Sequence, residues 1–150
     1  MKVNNYQVVF QEFPNEITLA LNISGCPNHC KGCHSWFLWE DTGETLDESY
    51  LDNLIKENDG ITCVGFMGGD QDPDYIEKLA KYIKIKYPGL KTGWYSGKDY
   101  FDSKFIDVFD YIKIGPYIEE YGGLDKSTTN QVMFEIKNKI LRNITYKFYR

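Results

Sequence analysis

Long apolar runs are missing from this chain of 150 residues. Nowhere do about 18 apolar residues follow one another, so no membrane-spanning helix is expected. The first residues, MKVNNYQVVFQEF, also lack an apolar stretch flanked by small residues, the mark of a cleaved export signal. The expectation is a soluble protein that neither leaves the cell nor enters a membrane. Positive charge is not in excess either: 17 Lys and Arg stand against 22 Asp and Glu, a formal net charge of -5, which argues against holding a nucleic acid through bulk charge. Cysteine is limited to four residues, of which three fall between positions 26 and 33 while Cys63 stands alone. That is not the dispersed even set of a secreted disulfide scaffold, and a reducing cytoplasm is the expected compartment. Repeats, low-complexity tracts and interdomain linkers are absent. The length suits a single domain, 1–150, large enough to bury well over half of its unfolded surface without staples.

What is present is an alternation of extended and helical patterns. NYQVVFQEF and EITLALNI are β-prone runs joined near Pro14 and Asn15, so a strand, a turn and a second strand ending at Ile23 are expected. From Thr45, a capping box with Glu48 and apolar spacing at Leu51, Leu54 and Ile55 predict a helix that stops at NDG. ITCVGF then reads as a buried strand. Asp72 and Pro73 suit the N-cap and first turn of a helix with its stripe at Ile76, Leu79, Ala80 and Ile83, ended by YPG. A third cycle follows: LKTGWYS as a strand, a helix near residues 100–109 built on Phe101, Phe105, Ile106 and Phe109, and YIKIG as a strand. PYIEEYGGLDKSTTNQ reads as a long loop of the kind that carries function. From Val132 a strand or short helix is expected, then a strand at ITYKFY. This pattern predicts an α/β fold with a mainly parallel sheet, whose ligand site lies at the C-terminal ends of the strands.

The candidate chemistry falls at those ends. SGCPNHCKGCH, residues 24–34, places Cys26, Cys30 and Cys33 in a C-x3-C-x2-C loop after the second strand. Three readings are open there: a zinc site, a disulfide or redox pair, and an iron-sulfur cluster one ligand short. Three thiolates on a four-iron cluster leave one iron free for a substrate. A structural zinc site wants four closed ligands, and His29, His34 or Cys63 could complete it. GFMGGDQDP follows the next strand, with Gly68 and Gly69 allowing close approach of the backbone to a ligand and Asp70 offering a carboxylate to an ammonium group. The plainer alternative is a Gly-Gly turn leading into a capped helix. TGWYSG, with Ser96, either touches a sugar or simply turns.

The cysteine loop, followed one strand later by Gly-Gly-acid, resembles the radical S-adenosylmethionine superfamily. The short chain, CKGC, GGDQDP and IGPYIEEYGGLDKSTTNQ together resemble the activating enzymes of anaerobic (class III) ribonucleoside-triphosphate reductases, over most of residues 5–135. The resemblance implies a partial (β/α) barrel in a single domain. It implies a 4Fe-4S cluster on Cys26, Cys30 and Cys33, with S-adenosyl-L-methionine chelated at the fourth iron and cleaved to a 5'-deoxyadenosyl radical. Gly68, Gly69 and Asp70 would seat its methionine end, with Ser96 and Asn130 as candidates for the ribose and the rim. The implied partners are the reductase large subunit, from whose glycine the radical takes hydrogen, and a one-electron donor such as flavodoxin or ferredoxin. Another protein, a peptide or a small molecule is the alternative substrate; a zinc-binding interaction module is the alternative from another class.

The chain departs from the family pattern in three places. Gly32 stands where an aromatic residue commonly precedes the third cysteine, Asp70 is one methylene shorter than the usual Glu, and Ile114 replaces an acid found in some activases. Lys113 alternates with Ile112 and Ile114 and faces either the site, where it would meet the carboxylate of S-adenosylmethionine, or solvent; a solvated lysine is the usual case. His29 is expected to face solvent or brace the loop. His34 is a candidate to stack on adenine or shape the pocket, Cys63 reads as a small buried hydrophobe, and WFLWED, residues 36–41, reads as an apolar plug or a docking patch.

Overall fold

A computed structural model describes residues 1–150. One eight-stranded sheet dominates it, in the order β3-β1-β2-β4-β5-β6-β7-β8. β1 (Lys2–Val9) and β2 (Thr18–Ile23) form the expected antiparallel hairpin. β3 (Glu44–Thr45) lies antiparallel on β1. β4 (Cys63–Met67), β5 (Lys91–Tyr95) and β6 (Tyr111–Ile114) continue in parallel from β2. β7 (Val132–Lys137) and β8 (Ile140–Asn143) then add antiparallel to the far edge.

The expected partial (β/α) barrel with a mainly parallel sheet is therefore incorrect. The sheet is mixed, parallel only across β2, β4, β5 and β6. It carries two α-helices, α1 (Glu48–Glu57) and α2 (Pro73–Lys86). The third crossover holds no α-helix: the expected helix near 100–109 is a single 3-10 turn, Ser103–Asp107, begun by Asp102. Phe105 and Phe109 pack directly onto Trp94, with ring centroids 5.1 and 5.9 Å away, so one turn suffices to cover β5. ITYKFY is likewise no strand but a 3-10 turn at Thr145–Phe148.

Local chemistry explains the two helices. Asp72 caps α2 by accepting from the Tyr75 N–H, with Pro73 in the first turn, where its missing N–H costs nothing. For α1 the cap is Asp47, which accepts from the Tyr50 N–H at 2.8 Å, while Thr45 is drawn into β3. Each helix lays its apolar stripe on one face of the sheet: Leu51 and Leu54, with Ile76, Leu79 and Ile83, meet Leu19, Leu21, Val64, Phe66, Trp94 and Ile112 in one core. Alternation along the strands sends Cys63, Gly65, Gly93, Tyr95, Tyr111, Lys113 and Met133 to the other face.

That second face is covered without a helix. Phe13, fully buried in the β1–β2 connection, lies across Gly65 and Gly93, which are paired in register. A Cβ on Gly93 would sit 2.2 Å from the Phe13 ring, so glycine is required there for the ring to reach the sheet. Phe13 stacks on Tyr111 at 5.0 Å and meets Tyr95 edge-on at 5.5 Å, while Met133 and Ile144 complete this smaller core. The upper part of the same face, beyond Met67 and Tyr95, is left open.

Candidate metal centre

Four strands end around that opening, in a cavity of about 210 Å³. β2 delivers the cysteine loop, β4 the Gly68–Asp70 turn, β5 Ser96 and Gly97, and β6 Lys113; Cys26, Cys30 and Cys33 all line the cavity, as do Gly68, Asp70, Ser96 and Lys113. The three thiols are free and half-buried. The start of the loop is fastened twice: Cys26 N–H donates to the Leu38 carbonyl, and Gln71 Nε2 donates to the Ser24 carbonyl at 2.7 Å. Leu38 of the WFLWED segment is buried beneath the loop, whereas Trp36 and Phe37 are exposed beside it.

Asp70 is the most heavily engaged group. One carboxylate oxygen accepts from Ser96 Oγ at 2.6 Å, and the other from Asn28 Nδ2 at 2.7 Å and Gly97 N–H at 2.8 Å. Gly68 has φ +124°, a conformation open to glycine, and its carbonyl accepts from the Trp94 indole N–H at 2.8 Å. Gly69 points away from the cavity, where a Cβ would lie 2.5 Å from Ile76 of α2. Its place in the structure is helix packing.

Lys113 is buried, 8 % exposed, and turned into the cavity. Its Nζ donates to the carbonyls of Ser96 and Gly115 at 3.1 and 3.0 Å. Burial pushes its pKa down to about 8; Asp70 and the thiols of Cys30, Cys33 and Cys26 act in the opposite direction. It is the one basic side chain among the residues that line the cavity.

The remaining candidates lie at or beyond the rim. His34 is exposed and meets Tyr117, a cavity-lining residue, edge-on at 5.8 Å. His29, also exposed, has φ +46° and stacks on Trp39 at 4.6 Å, a brace for the loop. Asn130 does not line the cavity: its Nδ2 donates to the Pro116 carbonyl at 3.0 Å, and its buried Oδ1 lacks a partner. Cys63 is buried at the opposite end of β4, where desolvation raises its thiol pKa. Gly32 also has a structural reason. It sits at φ +76°, a backbone conformation that strains any side chain, and a Cβ there would come within 3.2 Å of the Glu119 side chain.

Sequence reading missed Asn28, Gln71 and Gln131. Gln71 and Asn28 hold the loop, and Gln131 lines the cavity while donating toward the Gly115 carbonyl at 3.4 Å. The available signal was position alone: Asn28 lies between two cysteines, and Gln71 follows the Gly-Gly-acid turn.

Neither histidine nor Cys63 lines the cavity with the three thiols, so the fourth ligand a closed zinc site wants is not supplied by the residues that could have completed it. Three thiolates suit a 4Fe-4S cluster, which needs no fourth protein ligand to be held. No helix is long and apolar enough to cross a membrane. A family model described as a 4Fe-4S single cluster domain matches residues 17–139, taking in the cysteine loop and every parallel strand. No curated protein and no solved structure matches the chain. A match of that length, over a site already built around three thiols, makes this chain a member of the 4Fe-4S single cluster domain family.

Proposed function

We propose that the protein is a radical S-adenosylmethionine enzyme that activates a glycyl radical enzyme, with anaerobic ribonucleoside-triphosphate reductase as the partner. The observation that carries this reading is that three thiols, Gly68, Asp70 and one buried lysine line a single cavity at the ends of the parallel strands. In this reading Cys26, Cys30 and Cys33 are the ligands of a 4Fe-4S cluster with one iron left open. When bound, the cluster would supply the one electron needed to cleave S-adenosylmethionine reductively to methionine and a 5'-deoxyadenosyl radical, and that radical would take a hydrogen atom from a glycine of the partner.

The chain's own residues bind and orient. Lys113 has used two of its three N–H donors and keeps one for the methionine carboxylate. Asp70 accepts three hydrogen bonds and has about one lone-pair site left for the ammonium group. Gly68 brings bare backbone to the cavity wall, and Ser96 holds Asp70 in place. Tyr117 and His34 form a rim against which adenine can stack. A cavity open on one side suits a substrate that is a loop of another protein, and a cytoplasmic one-electron donor such as flavodoxin or ferredoxin would reduce the cluster.

The test is direct. Anaerobically purified protein should carry about four irons per chain and absorb broadly near 400 nm. Reduced, with S-adenosylmethionine, it should release 5'-deoxyadenosine; with the reductase added, a glycyl radical should appear by electron paramagnetic resonance. Cleavage without that radical would discard the partner and keep the superfamily. Colourless protein holding one zinc would end the reading altogether.

A further inference from the structure

Asn28 sits between the first two cysteines, and its side-chain amide reaches in two directions. Nδ2 donates to Asp70 at 2.7 Å and lies 3.7 Å from Cys26 Sγ, within reach of a second N–H donation. Its orientation follows from chemistry: a carboxylate only accepts, so the nitrogen must face Asp70. Gly97 makes room for it. A Cβ at Gly97 would meet Asn28 Nδ2 at 2.5 Å and Cγ at 3.1 Å, although the backbone there is not one that requires glycine. The missing side chain of residue 97 is thus filled by the amide of residue 28.

We propose that Asn28 is a positioning residue that latches the cysteine loop to Asp70 and, through its second N–H, tunes the sulfur of Cys26. The tuning half rests on the cluster reading above; the latch half does not. A hydrogen bond to a ligating sulfur stabilises the more negative, reduced state of a cluster and so raises its potential. The same amide fixes the distance between the first cysteine and the carboxylate. Loop order, cluster potential and the orientation of Asp70 are thereby joined through one side chain.

The experiment compares wild type with Asn28→Ala, Asn28→Asp and Gly97→Ala, each as full-length protein. In the apo form, hydrogen exchange across residues 26–33 should speed up in all three. Asn28→Asp should show the largest increase, because it sets a second carboxylate against Asp70. After anaerobic reconstitution, Asn28→Ala and Gly97→Ala should still bind about four irons. Their midpoint potentials should fall together by about 59 mV, a tenfold change in the ratio of reduced to oxidised cluster. The double variant should go no lower, because both changes remove one contact. Unchanged exchange in apo Asn28→Ala and Gly97→Ala would overturn the latch, whatever the protein binds. A loosened loop with an unchanged potential would overturn the tuning and leave Asn28 purely structural. Wild-type protein that takes up no iron, while the variants still lose protection, would overturn the cluster reading and uphold the latch.

Discussion

The parallel strands have two ends that solve opposite problems. At their N-terminal end Glu16 is buried and accepts from Thr62, Lys91 and Tyr111 at 2.8, 2.9 and 2.8 Å, closing β2, β4, β5 and β6 into one bonded cluster. At their C-terminal end the charged groups are held but not exhausted: Lys113 keeps a donor, Asp70 an acceptor site, and three thiols remain free. At one end the buried carboxylate is fully engaged within the protein and contributes stability, although the Thr18 hydroxyl there is buried without a partner. The other keeps binding capacity in reserve, which is what a ligand site requires.

The largest expected effect falls on the open end. Cys30→Ala should abolish iron uptake and 5'-deoxyadenosine release together, yet hardly move the melting temperature of the apo protein, because the half-buried thiol supports no core. Iron content and calorimetry on the same sample check both halves. Cleavage at a normal rate in that variant would refute the ligand set.

The reverse dissociation is expected for Phe13→Ala. Removing a ring that fills the space above Gly65 and Gly93 should cost about 3–5 kcal/mol in urea unfolding. The cysteine loop itself makes no use of that ring, so reconstituted Phe13→Ala, studied where it remains folded, should still bind iron.

Glu16→Gln breaks the closed end more gently, at about 1–3 kcal/mol, and it carries a pH signature. Burial alone would raise the Glu16 pKa, but the hydrogen bonds from Lys91, Tyr111 and Thr62 outweigh it and hold the carboxyl below its ordinary value of 4.5. A lowered folded value means the unfolded chain binds protons first as pH falls. The stabilisation is therefore complete above about 4.5 and is lost below it, as pH drops through the folded value. Urea midpoints of wild type and Glu16→Gln should differ at pH 7 and converge in acid.

How much of this contrast was legible in the sequence depended on whether the cause was local. The Asp72–Pro73 cap, the hairpin and the position of the cysteine loop after Ile23 follow from short-range chemistry and were readable. The two-residue β3 and the single turn at Ser103–Asp107 depend on partners far along the chain, and propensity pointed elsewhere. Lys113 marks the boundary most clearly. Ile112, Lys113 and Ile114 alternate, but both faces of this sheet are covered, so alternation alone does not say which side is the site. Only the pairing of β6 with β5 and β7 turns the lysine inward. Lys113→Met is expected to weaken S-adenosylmethionine binding about tenfold, or about 1.4 kcal/mol.

The smallest effect should come from the fourth cysteine, which belongs to the closed end. Cys63 is fully buried among Phe13, Tyr111 and Met133, and desolvation keeps its thiol protonated. Cys63→Ala should cost about 1 kcal/mol for the small void it leaves, with iron content and turnover unchanged. Alkylation of the folded apo protein sharpens the contrast: Cys26, Cys30 and Cys33 should react while Cys63 waits for unfolding. A thiol at the closed end that reacted as fast as the other three, or an alanine there that lost iron, would mean that the two ends of the sheet are not the separate devices their hydrogen bonding implies.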